Sequence, residues 1–201
     1  MNFDLEMERQ IESIPEGTPL LLHACCAPCS SACLERLGNY FKVTIFYYNP
    51  NITDENEYKK RLNEISNFIK KFRTKYEIKL IEGNYDPNAF FDISSGLESE
   101  PERGKRCYKC YNLRLEETAR IADQYNFDYF CTTLTLSPHK NSNWINEIGS
   151  ILDKKYNSTY LYSDFKKKNG YKRSIELSRE YNLYRQDYCG CIYSKRDRKG
   201  E

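Results

Sequence analysis

Seven of the nine cysteines stand in three tight groups: Cys25, Cys26 and Cys29, then Cys107 and Cys110, then Cys189 and Cys191. The groups lie far apart along the chain, so the fold decides whether they meet. A reducing cytosol seldom uses structural disulfides, and cysteine-rich chains there more often bind metal or carry out redox chemistry. The odd count and the adjacent pair Cys25-Cys26 both argue against a disulfide framework. Thiols that merely filled a core would be scattered. That bland reading suits only Cys33, on a predicted helix, and Cys131, in a predicted strand.

The chemistry of the groups follows from their spacing. Neighbouring side chains on a strand point to opposite faces, so Cys25 and Cys26 can share a metal only where the chain turns. A strand-to-helix loop with Pro28 supplies that turn. Cys107 and Cys110 lie three residues apart, on one side of a first helical turn, where the positive helix end favours thiolates. Gly190 permits a tight bend between Cys189 and Cys191. Four thiolates from two groups suit structural zinc, but zinc ribbons usually bring two matched Cys-x-x-Cys knuckles. They also suit a [4Fe–4S] cluster, whose irons accept unevenly spaced ligands. Spacing tilts toward the cluster and leaves zinc and a thioredoxin-like pair open. Cys189 and Cys191 can store two electrons as a dithiol, or hold a second metal beside the cluster together with Cys29.

At 201 residues the chain suits a single domain. Hydrophobic residues at 39% and charged residues at 30% read as globular. Residues 1–16 are acidic and polar, unlike a secretory signal, and no apolar run approaches the ~20 residues of a membrane helix. A cytoplasmic protein with no membrane partner is expected. The net charge of +2 is too small for a global field that would gather nucleic acid.

Short apolar runs alternate with helical patterns. Residues 20–24, 43–48, 78–81, 128–133 and 159–162 read as strands. Helices are predicted over residues 31–37, from the N-cap Asp54 to about Phe72, from Asp86-Pro87, over 107–125, 141–156 and 174–181. Residues 98–106 read as an exposed loop and 188–191 as a tail loop. The alternation predicts an α/β fold, a parallel sheet with helices on both faces. Ligands of such sheets sit beyond the carboxyl ends of the strands, near a switch in strand order. Both the Cys25 group and the stretch 137–140 follow predicted strand ends, so they are expected to face one crevice.

Five stretches carry a resemblance: residues 21–30 (LLHACCAPCS), 47–52 (YYNPNI), 106–115 (RCYKCYNLRL) with Thr118-Ala119, 132–140 (TTLTLSPHK) and 184–191 (YRQDYCGC). In this order they resemble the epoxyqueuosine reductases of the QueH type. The resemblance implies conversion of epoxyqueuosine to queuosine at the wobble position of transfer RNA, without cobalamin, using an electron donor it does not identify. It implies a [4Fe–4S] cluster on Cys25, Cys26, Cys107 and Cys110, with Cys189 and Cys191 as a redox-active pair. The implied fold is Rossmann-like, akin to ATP-pyrophosphatase and transfer RNA thiolation proteins. The Gly-rich nucleotide loop of those relatives is replaced here by cysteines, so no ATP use is expected. The family position filled by Cys29 can carry a carboxylate, and a second, mononuclear iron there would have a softer ligand set. Residues 1–17 fall outside the pattern as an N-terminal extension to a single domain of residues 18–201.

Protonating a departing epoxide oxygen needs an acid titrating near working pH. His23, His139 and Asp187 are candidates, each with an ordinary structural reading beside the catalytic one. Tyr47 and Tyr48 can stack on a base or simply pack. Arg103, Lys105, Arg106, Lys140, Arg173, Arg185 and the run Lys166-Lys167-Lys168 are candidate RNA contacts. Transfer RNA thiolation and a zinc-stabilised RNA-binding domain remain as rival readings. The first would need ATP, and the second leaves Cys189-Gly190-Cys191 without a use.

Overall fold

A computed structural model of the chain describes residues 1–199. Strands β1 (Thr18–His23), β2 (Phe41–Tyr47), β3 (Lys79–Glu82), β4 (Tyr129–Thr132) and β5 (Thr159–Tyr160) form one parallel sheet in the order β3-β2-β1-β4-β5. Strand order runs outward from β1 to β3, then jumps back so that β4 lies on the other side of β1. The switch point is therefore between β1 and β4, where His23 is in register with both Phe46 and Thr132.

Side-chain alternation on the strands decides the two faces. Leu20 and Leu22 of β1, with Val43, Ile45 and Tyr47 of β2, point to one core. That core is closed by α1 (Phe3–Ser13), α2 (Ala27–Leu37), α3 (Glu55–Lys71) and α7 (Gly170–Glu180), through Met7, Leu34, Ile65 and Leu177 among others. Leu21, Phe46 and Phe130 point the other way, against Leu115 and Ala119 of α5 (Lys105–Gln124) and Ile145 and Ile148 of α6 (Ser142–Asp153). Gly149 of α6 has to be glycine, because a Cβ there would lie 2.3 Å from the Tyr160 ring. Helices α4 (Pro87–Ser94) and α8 (Ile192–Lys199) complete the chain. The Rossmann-like α/β arrangement expected from the sequence is the one found.

Several boundaries differ, each for a local reason. Helix α2 starts at Ala27, four residues before the predicted position. Pro28 occupies its first turn, where a missing N–H costs nothing, and Cys26 in extended conformation stands at the N-cap. Pro28 thus opens the helix and does not bend the loop. Helix α5 begins at Lys105, and α7 at Gly170. Neither α1 nor α8 is among the helices that the sequence pattern predicts. Helix α1 is capped by the Asn2 side chain, buries Met7, and ties Gln10 to Tyr160 O and Tyr162 N across the sheet edge. No described helix is long and apolar enough to cross a membrane.

Candidate active site

Strand β1 ends at His23, and the chain bends through Ala24 and Cys25 into α2. The bend brings the sulfurs of Cys25, Cys26 and Cys29 within 4.8 Å of one another, with 3.8 Å between the first two. Cys25 and Cys26 are buried and Cys29 half-buried. Bonds from the Cys26 and Cys29 thiols hold the Cys25 thiol well below its usual range, helped by Lys140 and Arg114. Its two neighbours are correspondingly raised, Cys26 to about 12, through their bonds to Cys25. Three sulfurs this close together form a metal-ready donor set.

Cys107 and Cys110 stand in the first two turns of α5. The expectation that the helix end would favour their thiolates needs correcting. Burial raises both, Cys110 to about 12, and the Arg103 N–H at 3.3 Å from Cys107 Sγ only partly offsets it. Cys189 and Cys191 flank Gly190, whose φ of 113° a side chain would strain and whose Cβ would meet Ile52 Cγ1 at 2.8 Å. Arg61 holds this turn: its Nη1 donates to Cys189 O at 3.3 Å while its Nε pairs with Glu57 at 2.7 Å. Cys107, Cys110, Cys189 and Cys191 border one small cavity together with Asn51 and Lys140. Cys25, Cys29 and Cys189 border the adjoining open cleft of about 250 Å³, whose rim carries His139, Lys140 and Asp187. Cys189 and Lys140 belong to both. All seven grouped cysteines thus gather beyond the carboxyl ends of β1 and β4, while Cys33 and Cys131 are packed in the core.

The remaining candidates sort by burial. His23 is wholly buried; its Nε2 donates to Tyr48 O at 3.1 Å and its Nδ1 accepts from Thr132 Oγ1 at 2.9 Å. Burial, with Arg114 nearby, lowers its pKa to about 3, so the ring is neutral and borders neither cavity. Its placement suits holding β1, β2 and β4 together and does not suit proton delivery. His139 is exposed on the cleft rim, where Arg103 Nη2 donates to its Nδ1 at 3.2 Å, leaving the ring proton on Nε2. Tyr47 and Tyr48 are buried, the first bonded to Tyr58 O, the second stacked on Phe46. Neither can stack on a base without unpacking the sheet. Arg106 is buried too, donating to the carbonyls of Leu97, Glu98 and Glu100, and is unavailable to RNA. Arg173 is engaged by Glu35 and Glu176, Lys166 by Asp164 and Lys168 by Glu8. Arg185 donates to Ser174 and Ser178 but borders the cleft, as does Lys140; Arg103 and Lys105 are exposed beside it.

Three residues near the thiols escaped sequence reasoning: Arg61, Arg114 and Asn51. All three are buried, and Arg114 Nε and Nη2 and both amide atoms of Asn51 have no hydrogen-bond partner among the described residues. Asn51 and Arg114 lie within the stretches 47–52 and 106–115, so position pointed to them although residue type did not.

The sequence profile described as Epoxyqueuosine reductase QueH matches residues 20–197, a span that takes in all seven grouped cysteines. The chain belongs to this family. A QueH epoxyqueuosine reductase of Streptococcus pyogenes serotype M1 is 45% identical over 96% of this chain and 78% of its own length. Those of Staphylococcus epidermidis and Thermotoga maritima are 42% and 32% identical, over 96% and 90% of this chain and 84% and 92% of their own lengths. Membership of the QueH family makes the chain an oxidoreductase of transfer RNA modification. The rival readings of thiolation and of a zinc-stabilised RNA-binding domain find no support among these relatives.

Proposed function

We propose that this QueH protein reduces epoxyqueuosine in transfer RNA to queuosine at the thiol-lined cleft, and that its cysteines hold a [4Fe–4S] cluster. One observation carries the reading: seven thiols gather at the sheet's switch point, and one helical turn from Cys110 lies a buried guanidinium, Arg114, with no carboxylate partner among the described residues. That donor set is soft, and the fixed positive charge favours an anionic centre. Cys25, Cys26, Cys107 and Cys110 are the proposed cluster ligands. When bound, the cluster supplies electrons one at a time.

Cys189 and Cys191 are the proposed two-electron store. Removal of the epoxide oxygen breaks both of its C–O bonds and forms a C=C bond. It consumes two electrons and two protons and releases water. Two thiols becoming one disulfide provide that count, and an external electron donor then restores the dithiol. His139 is the proposed acid at the leaving oxygen, since it stands at the rim of the cleft; to act, Nδ1 has to take up a proton and release the Arg103 bond, so that the imidazolium gives its proton to the oxygen. At about 250 Å³ the cleft has the size of a small-ligand pocket, and the wobble nucleotide is proposed to turn outward to enter it. Arg103, Lys105 and Arg185 are the basic residues best exposed for the surrounding backbone.

The shared lining of the small cavity favours a second division, with Cys107, Cys110, Cys189 and Cys191 as one four-thiolate set. That division leaves Cys25, Cys26 and Cys29 for a further iron. Anaerobic purification with iron, zinc and acid-labile sulfide measured per chain tests the cluster in either division. Near-equal iron and sulfide with a brown chromophore is expected; a colourless protein with stoichiometric zinc would refute it.

A further inference from the structure

Arg114 follows Cys110 by one turn of α5 and is entirely buried. A buried guanidinium normally meets a carboxylate, as Arg61 meets Glu57 at 2.7 Å. Arg114 meets none. Nη1 donates to Asn49 Oδ1 at 3.3 Å, and Nε and Nη2 have no partner among the described residues. Asn49 in turn donates to Ala24 O at 2.9 Å, the residue before Cys25, so the guanidinium is tied to the bend that carries the thiol triad. Burial opposes its charge, and the groups that restore it are Cys110, Cys189, Cys25 and Tyr111. Three of those four are grouped cysteines.

Unpaired buried N–H groups are costly, and more so on a charged group. Lys140, another cation facing these thiols, borders the open cleft and can be met by substrate or water, while Arg61 is paired with Glu57 and Arg106 with backbone carbonyls. Arg114 stands one helical turn beyond Cys110 on the same face of α5 and is closed off from the open cleft, so the group that meets its Nε and Nη2 has to be buried with the thiols.

We propose that Arg114 is the fixed counter-charge of the thiolate-bound centre, donating from Nε and Nη2 to sulfur and thereby setting how readily the centre accepts an electron. This rests on the reading that the cysteines hold an iron–sulfur cluster. Four thiolates make such a centre anionic, and an accepted electron adds one more negative charge. A buried cation with directed donors favours the reduced form.

The test is an anaerobic redox titration of the loaded protein, following the visible chromophore, with iron and sulfide counted in each sample. Arg114→Gln removes the charge and is expected to disfavour reduction about tenfold, a fall of about 59 mV for a one-electron couple. Arg114→Lys keeps a charge but loses the planar donors, and a fall of about threefold, about 28 mV, is expected. Should the glutamine variant fail to fold or load, the lysine variant carries the comparison. A parent-like potential in either loaded variant would overturn the assignment of Arg114 and leave the cluster reading intact. Parent protein without iron would overturn both.

Discussion

Gly190 lets two cysteines share one turn. Its φ of 113° and the 2.8 Å approach to Ile52 leave no room for a Cβ, so Gly190→Ala must either strain the backbone or push the turn off Ile52. Strain of this kind costs about 1–3 kcal/mol. At about 2–4 °C per kcal/mol for a chain of this size, the thermal midpoint should fall measurably. A midpoint equal to the parent's would mean that the turn is free to relax. Glu64 bears on the same segment, accepting the Tyr184 N–H at 2.5 Å. Burial raises its pKa above 4.5, so the folded carboxyl keeps its proton to higher pH than the unfolded one. The native state therefore binds more protons in that window, and Glu64's contribution to stability is present below pH 4.5 and lost as pH rises through the folded value. Glu64→Gln keeps an acceptor and removes the charge. It is expected to raise the thermal midpoint at neutral pH and to match the parent below 4.5; a uniform offset at both would contradict the linkage.

At the scale of elements, helix α5 and the turn before α8 present thiols in different ways. Helix α5 anchors Cys107 and Cys110 on regular backbone, while Cys189 and Cys191 occupy a turn held by Arg61 and leading into α8. A cluster ligand belongs on the rigid element and a cycling dithiol on the adaptable one. Cys107→Ser is therefore expected to lose both iron and turnover, whereas Cys191→Ser keeps the iron and loses turnover, measured as iron per chain and conversion of modified transfer RNA. Loss of iron in Cys191→Ser would instead favour the division in which Cys107, Cys110, Cys189 and Cys191 bind one centre. Much of this level was legible beforehand. Apolar runs located the strands, Asp54 and Asp86 cap α3 and α4 as their sequence context suggested, and the cysteine spacing led to the site. Helix α8 was not legible, because IYSKRDRK has too few apolar residues to set a period. Nor were Arg61 and Arg114, since an arginine buried by tertiary packing looks in sequence like any surface cation. His23 misled for the opposite reason: a histidine beside cysteines suggests chemistry, and only the register of β1 with β2 and β4 reveals it as an interior strut.

Over the whole molecule, the strand order explains why groups more than 160 residues apart in sequence serve one site. Reversal of strand order between β1 and β4 opens a crevice, the bend after β1 supplies the first thiols, and α5 and the turn before α8 close over it. Buried cations surround the thiols, and the cleft opens to a rim of histidine, lysine and aspartate. This arrangement is the proposed reductive centre for a single flipped-out nucleoside. The most direct measurement is an anaerobic assay in which iron-loaded protein, a chemical reductant and transfer RNA carrying epoxyqueuosine are combined without cobalamin, and the nucleosides are then identified by mass spectrometry. Loss of one oxygen, giving queuosine in proportion to enzyme and time, is the predicted result. Epoxyqueuosine left intact by protein with a full complement of iron and sulfide would contradict the account.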